Sequence, residues 1–480
     1  MATWQRPRRG VDDDHRFPAV QHRRADPLRV GARDRGRRGA EQLRPGAPRA
    51  VRRVLLGADA GLPVRRGQRL GSGGDDGRGV GRGSRRAVTD DLTPSPAGPV
   101  HYLDHACYSP PAAETERAVS AAVGTLAAVG SAGATRLALD WLEQRDRTRG
   151  AVADLLSSGT DDITLVESTT HGLGVVAGGL RLSAGENVVV GDCDFVGVPT
   201  VWRAQVRSGV ELRAARSKAG QLTLDAVRAA VDSRTRVISV SAVQEVSGWP
   251  VDLDGVAEIA SSVGAVVVVD GIQEAGVLDR RPAEHGVAAY ASGGHKWLRH
   301  PYGLGFLWTS PDLRASLRPP FQGYFALAQP AGGWVRHLTD PMTYSLDDHA
   351  LRHEGSALEV GGTPNWLGAV GLETAIRSVV DAGLAVIESR ALGLADELRS
   401  GLLALGVEPY TPVGTRSTVV TFSLQPHADD LSFVDIARRD GVHVSARRGA
   451  NIGGVRAGCH GHNTEDDIAA LLALVAHARR

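Results

Sequence analysis

From Leu92 onward the chain alternates two kinds of apolar pattern. Short unbroken runs, ITLV from Ile163, NVVVG from Asn187, RVISVSAV from Arg236 and AVVVVD from Ala265, have the length of strands. Between them lie stretches such as LTLDAVRAAVDS from Leu222 and VDLDGVAEIASSVG from Val251, whose apolar positions recur at helical spacing. Runs without a polar face predict strands buried on both sides. Their alternation with amphipathic helices predicts an α/β fold with a mostly parallel sheet. From about Gly368 the pattern turns helix-rich, and short strands follow at STVVTFSL and VHVSARR. A second, smaller α+β domain is the expectation there.

Ahead of Leu92 the text has another character. Met1 to about Arg86 is rich in Arg, Gly, Asp and Pro, as in VGARDRGRRGAEQLRPGAPRAVRR, with one apolar patch, VLLGADAGLPV. So little apolar surface cannot offset the entropy of ordering, and a disordered tail over residues 1–90 is expected. The same composition results when a GC-rich gene is read out of frame, which points to a natural start near Val88. The other reading is a basic arm for nucleic acid, but no helix-turn-helix periodicity supports it.

Bulk composition narrows the function only by exclusion. A formal charge of +1 over 480 residues argues against a general nucleic-acid or membrane-surface role. No apolar run approaches the roughly 18 residues that span a bilayer. The three cysteines, Cys107, Cys193 and Cys459, stand far apart without C-x-x-C or Cys/His ligand spacing. Neither a disulfide framework nor a metal site is expected, and a reducing cytoplasm fits best.

The candidate chemistry begins where VVVV runs into Asp270. A carboxylate ending the most apolar strand is costly unless a cation or several donors meet it. Taken alone it would be read as a helix N-cap. Gln273 follows three residues on, and SGGHKWL, Ser292 to Leu298, presents Lys296 among glycines. A lysine in a partly desolvated turn is a candidate imine-forming amine, because burial lowers its pKa toward a nucleophilic range. ESTTHGLGVVAGG, following the first strand, has the form of a turn opening a helix. Backbone N–H groups there suit a phosphate, with Thr170 as the hydroxyl and the N–H of His171 beside it.

Together these residues resemble the class V aminotransferase family of fold-type I pyridoxal-phosphate (PLP) enzymes, which includes cysteine desulfurases, selenocysteine lyases and isopenicillin N epimerase-like proteins. The resemblance runs from about His101 to Ala476 and rests on D-x-x-Q followed by H-K at this spacing. It implies an N-terminal segment over 91–117, a large PLP-binding domain over 118–362 and a small domain over 363–480. By the resemblance Lys296 bonds to PLP, Asp270 pairs with the ring nitrogen and Gln273 hydrogen-bonds the ring's phenolic oxygen. Phe195, in GDCDFVGVP, takes the position of the ring stacked over the cofactor, while Ser292 and His295 assist the phosphate or orient the lysine. GGTPNW resembles the segment by which a partner subunit supplies a threonine, here Thr363, to the phosphate, and so implies a homodimer. His105, in HYLDHACYSPP, would face the substrate, and Arg456, in VRAGCHGHNTEDDI, would clamp its α-carboxylate.

Two departures bear on the reaction. Desulfurases carry a nucleophilic cysteine on a loop before the clamp arginine, whereas SARRGANIGGV is short and has none. Glu245 stands where desulfurases have an asparagine near the ring oxygen. The expected function is a PLP enzyme acting at Cα or Cβ of an amino acid, by family analogy a C–S lyase. Transamination and epimerisation remain open, as does a regulator that binds PLP without catalysis.

Overall fold

The computed structural model describes residues 100–128, 133–343, 349–360, 362, 365–426 and 428–480. The expected tail, residues 1–90, and Thr363 lie outside them. Twelve strands are found among the described residues: β1 (His101–Tyr102), β2 (Ile163–Val166), β3 (Asn187–Gly191), β4 (Glu211–Ala215), β5 (Thr235–Ser241), β6 (Val266–Asp270), β7 (Ala289–Gly293), β8 (Gly305–Thr309), β9 (Val419–Phe422), β10 (Val442–His443), β11 (Ser445–Gly449) and β12 (Ile452–Gly458).

The central sheet has seven strands in the order β2-β8-β7-β6-β5-β3-β4. The neighbours β7-β6, β6-β5, β5-β3 and β3-β4 pair in parallel, and β8 runs against both β2 and β7. This is the α/β arrangement expected from unbroken valine runs. In β6, Val267 and Val269 enter one apolar cluster while Val268 enters the other, so neither face tolerates a polar side chain. Helix Leu253–Val263 begins where the Asp252 side chain accepts from the Gly255 amide and ends at Gly264, whose φ of 70° is left-handed.

The chain beyond Ala382 builds a second core. Strands β11-β12-β9 form an antiparallel sheet packed on helices Leu384–Ala404, Asp430–Arg439 and Glu465–Ala478. The N-terminal segment belongs to it: β1 pairs in parallel with β10, and the Gly458 amide donates to the Leu103 carbonyl. No helix among the described residues is long and apolar enough to cross a membrane.

Candidate active site

The polar groups collect at the carboxyl edge of the sheet, on strand ends and on the turns just past them. β6 ends at Asp270, and its register pairs Asp270 with Ser241 of β5 and Ala291 of β7. Past β7 the chain turns through Gly293 and Gly294 to present His295 and Lys296. Past β2, Ser168 caps helix Thr169–Gly179 by accepting from the His171 amide at 3.1 Å. Past β3, Asp194 is half-buried and well satisfied: Oδ2 accepts from the Gly191 amide, and Oδ1 from the Ser241 amide and Gln244 Nε2. This ties the ends of β3 and β5 together and sets Phe195 beside the site. The next strand-end requirement is steric. A Cβ on Gly271 would come within 2.0 Å of the Tyr290 ring.

A cavity of about 270 Å³ opens at this edge, lined by Lys296, Asp270, His295, Thr170, Phe195 and Arg456 among the expected residues. Asp270 is 3% exposed and accepts from the Ile272 amide at 2.9 Å. Burial pushes its carboxyl up to about 7, against the pull of that amide and of Lys296. Lys296 opens onto the cavity, and burial together with the Arg456 charge brings its amine down to about 8, while Asp270 and Glu245 oppose the fall. His295 is brought down to about 4 by burial, which keeps a neutral imidazole at pH 7, and its ring lies 4.8 Å from that of Tyr302. Phe195 remains 43% exposed, a ring face open to the cavity.

Arg456 is the most constrained of the set. It is fully buried on β12, its Nη1 donates to the Glu245 carbonyl at 3.1 Å, and its Nε and Nη2 have no hydrogen-bond partner. Carboxylates of Asp104 and Glu245 each stand 3.7 Å away, near enough to balance charge and too far to satisfy these donors.

Four expected residues stand off the cavity. His105 packs against His460, His462 and Trp297, with Nδ1 hydrogen-bonded to Ser109 at 2.7 Å, and is not among the residues that line the cavity. The His171 amide is engaged by Ser168, which leaves the first-turn amides of Thr169 and Thr170 as the donors a phosphate would meet. Ser292 is buried and donates to the Gly293 carbonyl. Gln273 donates to the Ala106 carbonyl at 3.1 Å, and its buried Oε1 has no partner. Sequence reasoning missed Ser168, Thr169, Cys107 and Arg447, which also line the cavity. Ser168 and Thr169 were visible as a capping pattern; Cys107 and Arg447 carried no local signal, because they meet only through packing of the N-terminal segment on β11.

An amine and an acid near adjacent strand ends, an anion-receptive helix start and a buried guanidinium thus meet at one cavity. The Aminotransferase class-V family model matches residues 101–471, and the chain belongs to that family of PLP-dependent enzymes. A probable cysteine desulfurase of Methanothermobacter thermautotrophicus is 27% identical over 76% of this chain and 92% of its own length. A cysteine desulfurase of Klebsiella pneumoniae is 29% identical over 72% and 84%. Among solved structures, the apo cysteine desulfurase of Thermococcus onnurineus NA1 superposes with a TM-score of 0.69 at 24% identity, covering 79% of this chain and 94% of that one. The cystine C-S lyase C-DES, in complex with its reaction product cysteine persulfide, gives 0.70 at 21%, covering 78% and 97%. These superpositions support the fold, a fold-type I architecture.

The residues present fit PLP. The buried Asp270 carboxyl needs a cationic partner, and the Thr169 and Thr170 amides begin a helix. A Cβ on Gly197 would meet the Thr170 hydroxyl at 2.7 Å, so glycine there keeps that hydroxyl accessible.

Proposed function

We propose that this chain cleaves the Cβ–S bond of an S-substituted cysteine by β-elimination. In this reading Lys296 bonds the cofactor, Asp270 holds the ring nitrogen cationic, Thr170 and the Thr169 amide meet the phosphate, and Phe195 covers the ring face. PLP bound there supplies an electron sink that makes the substrate Cα–H acidic. Arg456 fixes the α-carboxylate through Nε and Nη2, which orients Cα toward Lys296. Lys296 then removes the Cα proton and holds it on Nζ, and the neutral His295 imidazole keeps positive charge away from that amine.

The unpartnered guanidinium edge of Arg456 in the cavity of Lys296 and Asp270 carries the reading, since it asks for a carboxylate beside the reactive amine. Elimination is favoured over persulfide formation because the β11–β12 connection, Ala450–Asn451, has two residues and no cysteine. The enzyme acts as a homodimer in which the partner subunit's Thr363 reaches the phosphate. The exposed apolar side chains Phe321, Leu338 and Met342, 63%, 77% and 71% exposed, support a covered surface in that region.

The test is borohydride reduction of one sample of the holoenzyme followed by peptide mass spectrometry, and incubation of a second, unreduced sample with S-substituted cysteines. The expected result is PLP fixed to Lys296 in the reduced sample, and the thiol, pyruvate and ammonia as products in the other. A keto acid that keeps its sulfur would mean transamination, and Cα-proton exchange alone would mean epimerisation.

A further inference from the structure

The cavity contains a second guanidinium that the chemistry above leaves unused. Arg447 lies on β11 and Arg456 on β12, and the register sets Ser445 opposite Arg456 and Arg447 opposite Gly454. Since alternate residues share a face, both arginines project from the same side of the hairpin as diagonal neighbours. Gly454 offers no side chain to fill the space across from Arg447. Burial lowers the basicity of Arg456, and the nearby Arg447 charge lowers it further.

Their surroundings differ. Arg456 has Asp104 and Glu245 at 3.7 Å. Arg447 donates from Nη1 to the Ala446 carbonyl at 2.9 Å and from Nη2 to Cys107 Sγ at 3.0 Å. Among the described residues no carboxylate lies within ion-pair distance of it, whereas its neighbour Arg448 turns outward to Asp430 at 3.0 Å. Once Asp270 and Lys296 are committed to the cofactor, the wall keeps one cation balanced by acids and one that is not. A guanidinium beside a desolvated ligand recognises a planar acid group through paired N–H donors.

We infer that Arg447 is a specificity-determining residue that binds a second acidic group on the substrate's sulfur substituent, so that the preferred substrates are S-conjugates of cysteine carrying a distal carboxylate. The inference rests on the proposed reaction for the site. Arg456 takes the α-carboxylate, the cysteine sulfur lies toward Cys107, and the distal acid displaces the thiol as the partner of Arg447 Nη2.

The experiment titrates purified holoenzyme with S-(carboxymethyl)cysteine and S-(carbamoylmethyl)cysteine, an isosteric pair differing in the distal charge, and follows cofactor absorbance. Wild type is expected to bind the acid about tenfold or more tightly than the amide, as a charge-assisted hydrogen bond implies. Arg447→Met brings the ratio close to one, Arg447→Lys retains part of it, and Arg456→Met weakens both ligands while the ratio persists. A wild-type ratio near one, or an Arg447→Met variant that weakens both ligands with the ratio unchanged, overturns the inference. A wild-type cofactor that responds to neither amino acid overturns the reading beneath it and this inference with it.

Discussion

At the scale of single residues the site is an exercise in unequal burial. Asp270 and Lys296 shift in opposite directions, up to about 7 and down to about 8, so each is more easily neutral than its type in water. A neutral amine is the attacking form. Uptake of PLP by the cofactor-free protein should therefore speed up about tenfold per pH unit below about 8 and level off above it. Asp270 raises the Lys296 value, so Asp270→Asn should move that midpoint to lower pH; stopped-flow absorbance measures it. Arg456→Met should lower kcat/KM by about 10- to 100-fold, the worth of hydrogen bonds to a charged group. Lys296 and Asp270 were legible because strand ends in such sheets gather ligands, and a lysine among glycines breaks the pattern. Gln273, Ser292 and His105 show the limit of that legibility. A motif fixes where a residue sits along the chain, and the rotamer that points it into or away from a cavity is decided by neighbours distant in sequence, such as Ala106 for Gln273 and the His460 and His462 rings for His105.

At the scale of elements, the edge strand β2 is secured by ionic contacts. Glu359 is buried, accepts from Arg145 and from Arg149, the latter at 2.8 Å, and also from the Leu165 amide of β2 at 3.0 Å. The two guanidinium charges hold its carboxyl below the usual range despite burial. Glu359→Ala would strand two largely buried cations, a loss of about 3–5 kcal/mol in stability. A lower urea midpoint with an unchanged m-value is the expected signature. Strands β2, β3, β5 and β6 were legible as valine-rich runs. The edge strand β4, ELRAA, was not, because a strand with one solvated side loses the continuous apolar signal. Phe321 and Trp334 do not line the cavity. Trp334 lies by Arg145 and Glu359, and Phe321 is exposed.

At the scale of the whole molecule, residues 100–109 hold the C-terminal core and the cavity at once. Leu103 is fully buried in that core, β1 extends β10, and Ala106 and Cys107 line the site. A chain beginning after Ser109 should therefore lose both cooperative unfolding and PLP absorbance. Circular dichroism melting and a visible spectrum would show it. The change of periodicity near Gly368 does not coincide with the start of the second core, because helix Trp366–Ala382 still packs in the first through Ala369, Leu372, Ile376 and Val379. The return of the N-terminal segment to pair with β10 was not readable, since parallel pairing across more than three hundred residues leaves no trace in local pattern. The turn joining β11 to β12 has a consequence for traffic. Ala450 and Asn451 take φ of 47° and 63°, the tight hairpin geometry in which neither end is free to swing. A tip so short is no ferry: on the proposed reaction, the severed fragment must diffuse out unescorted, and any acceptor in solution must come to the doorway to collect it.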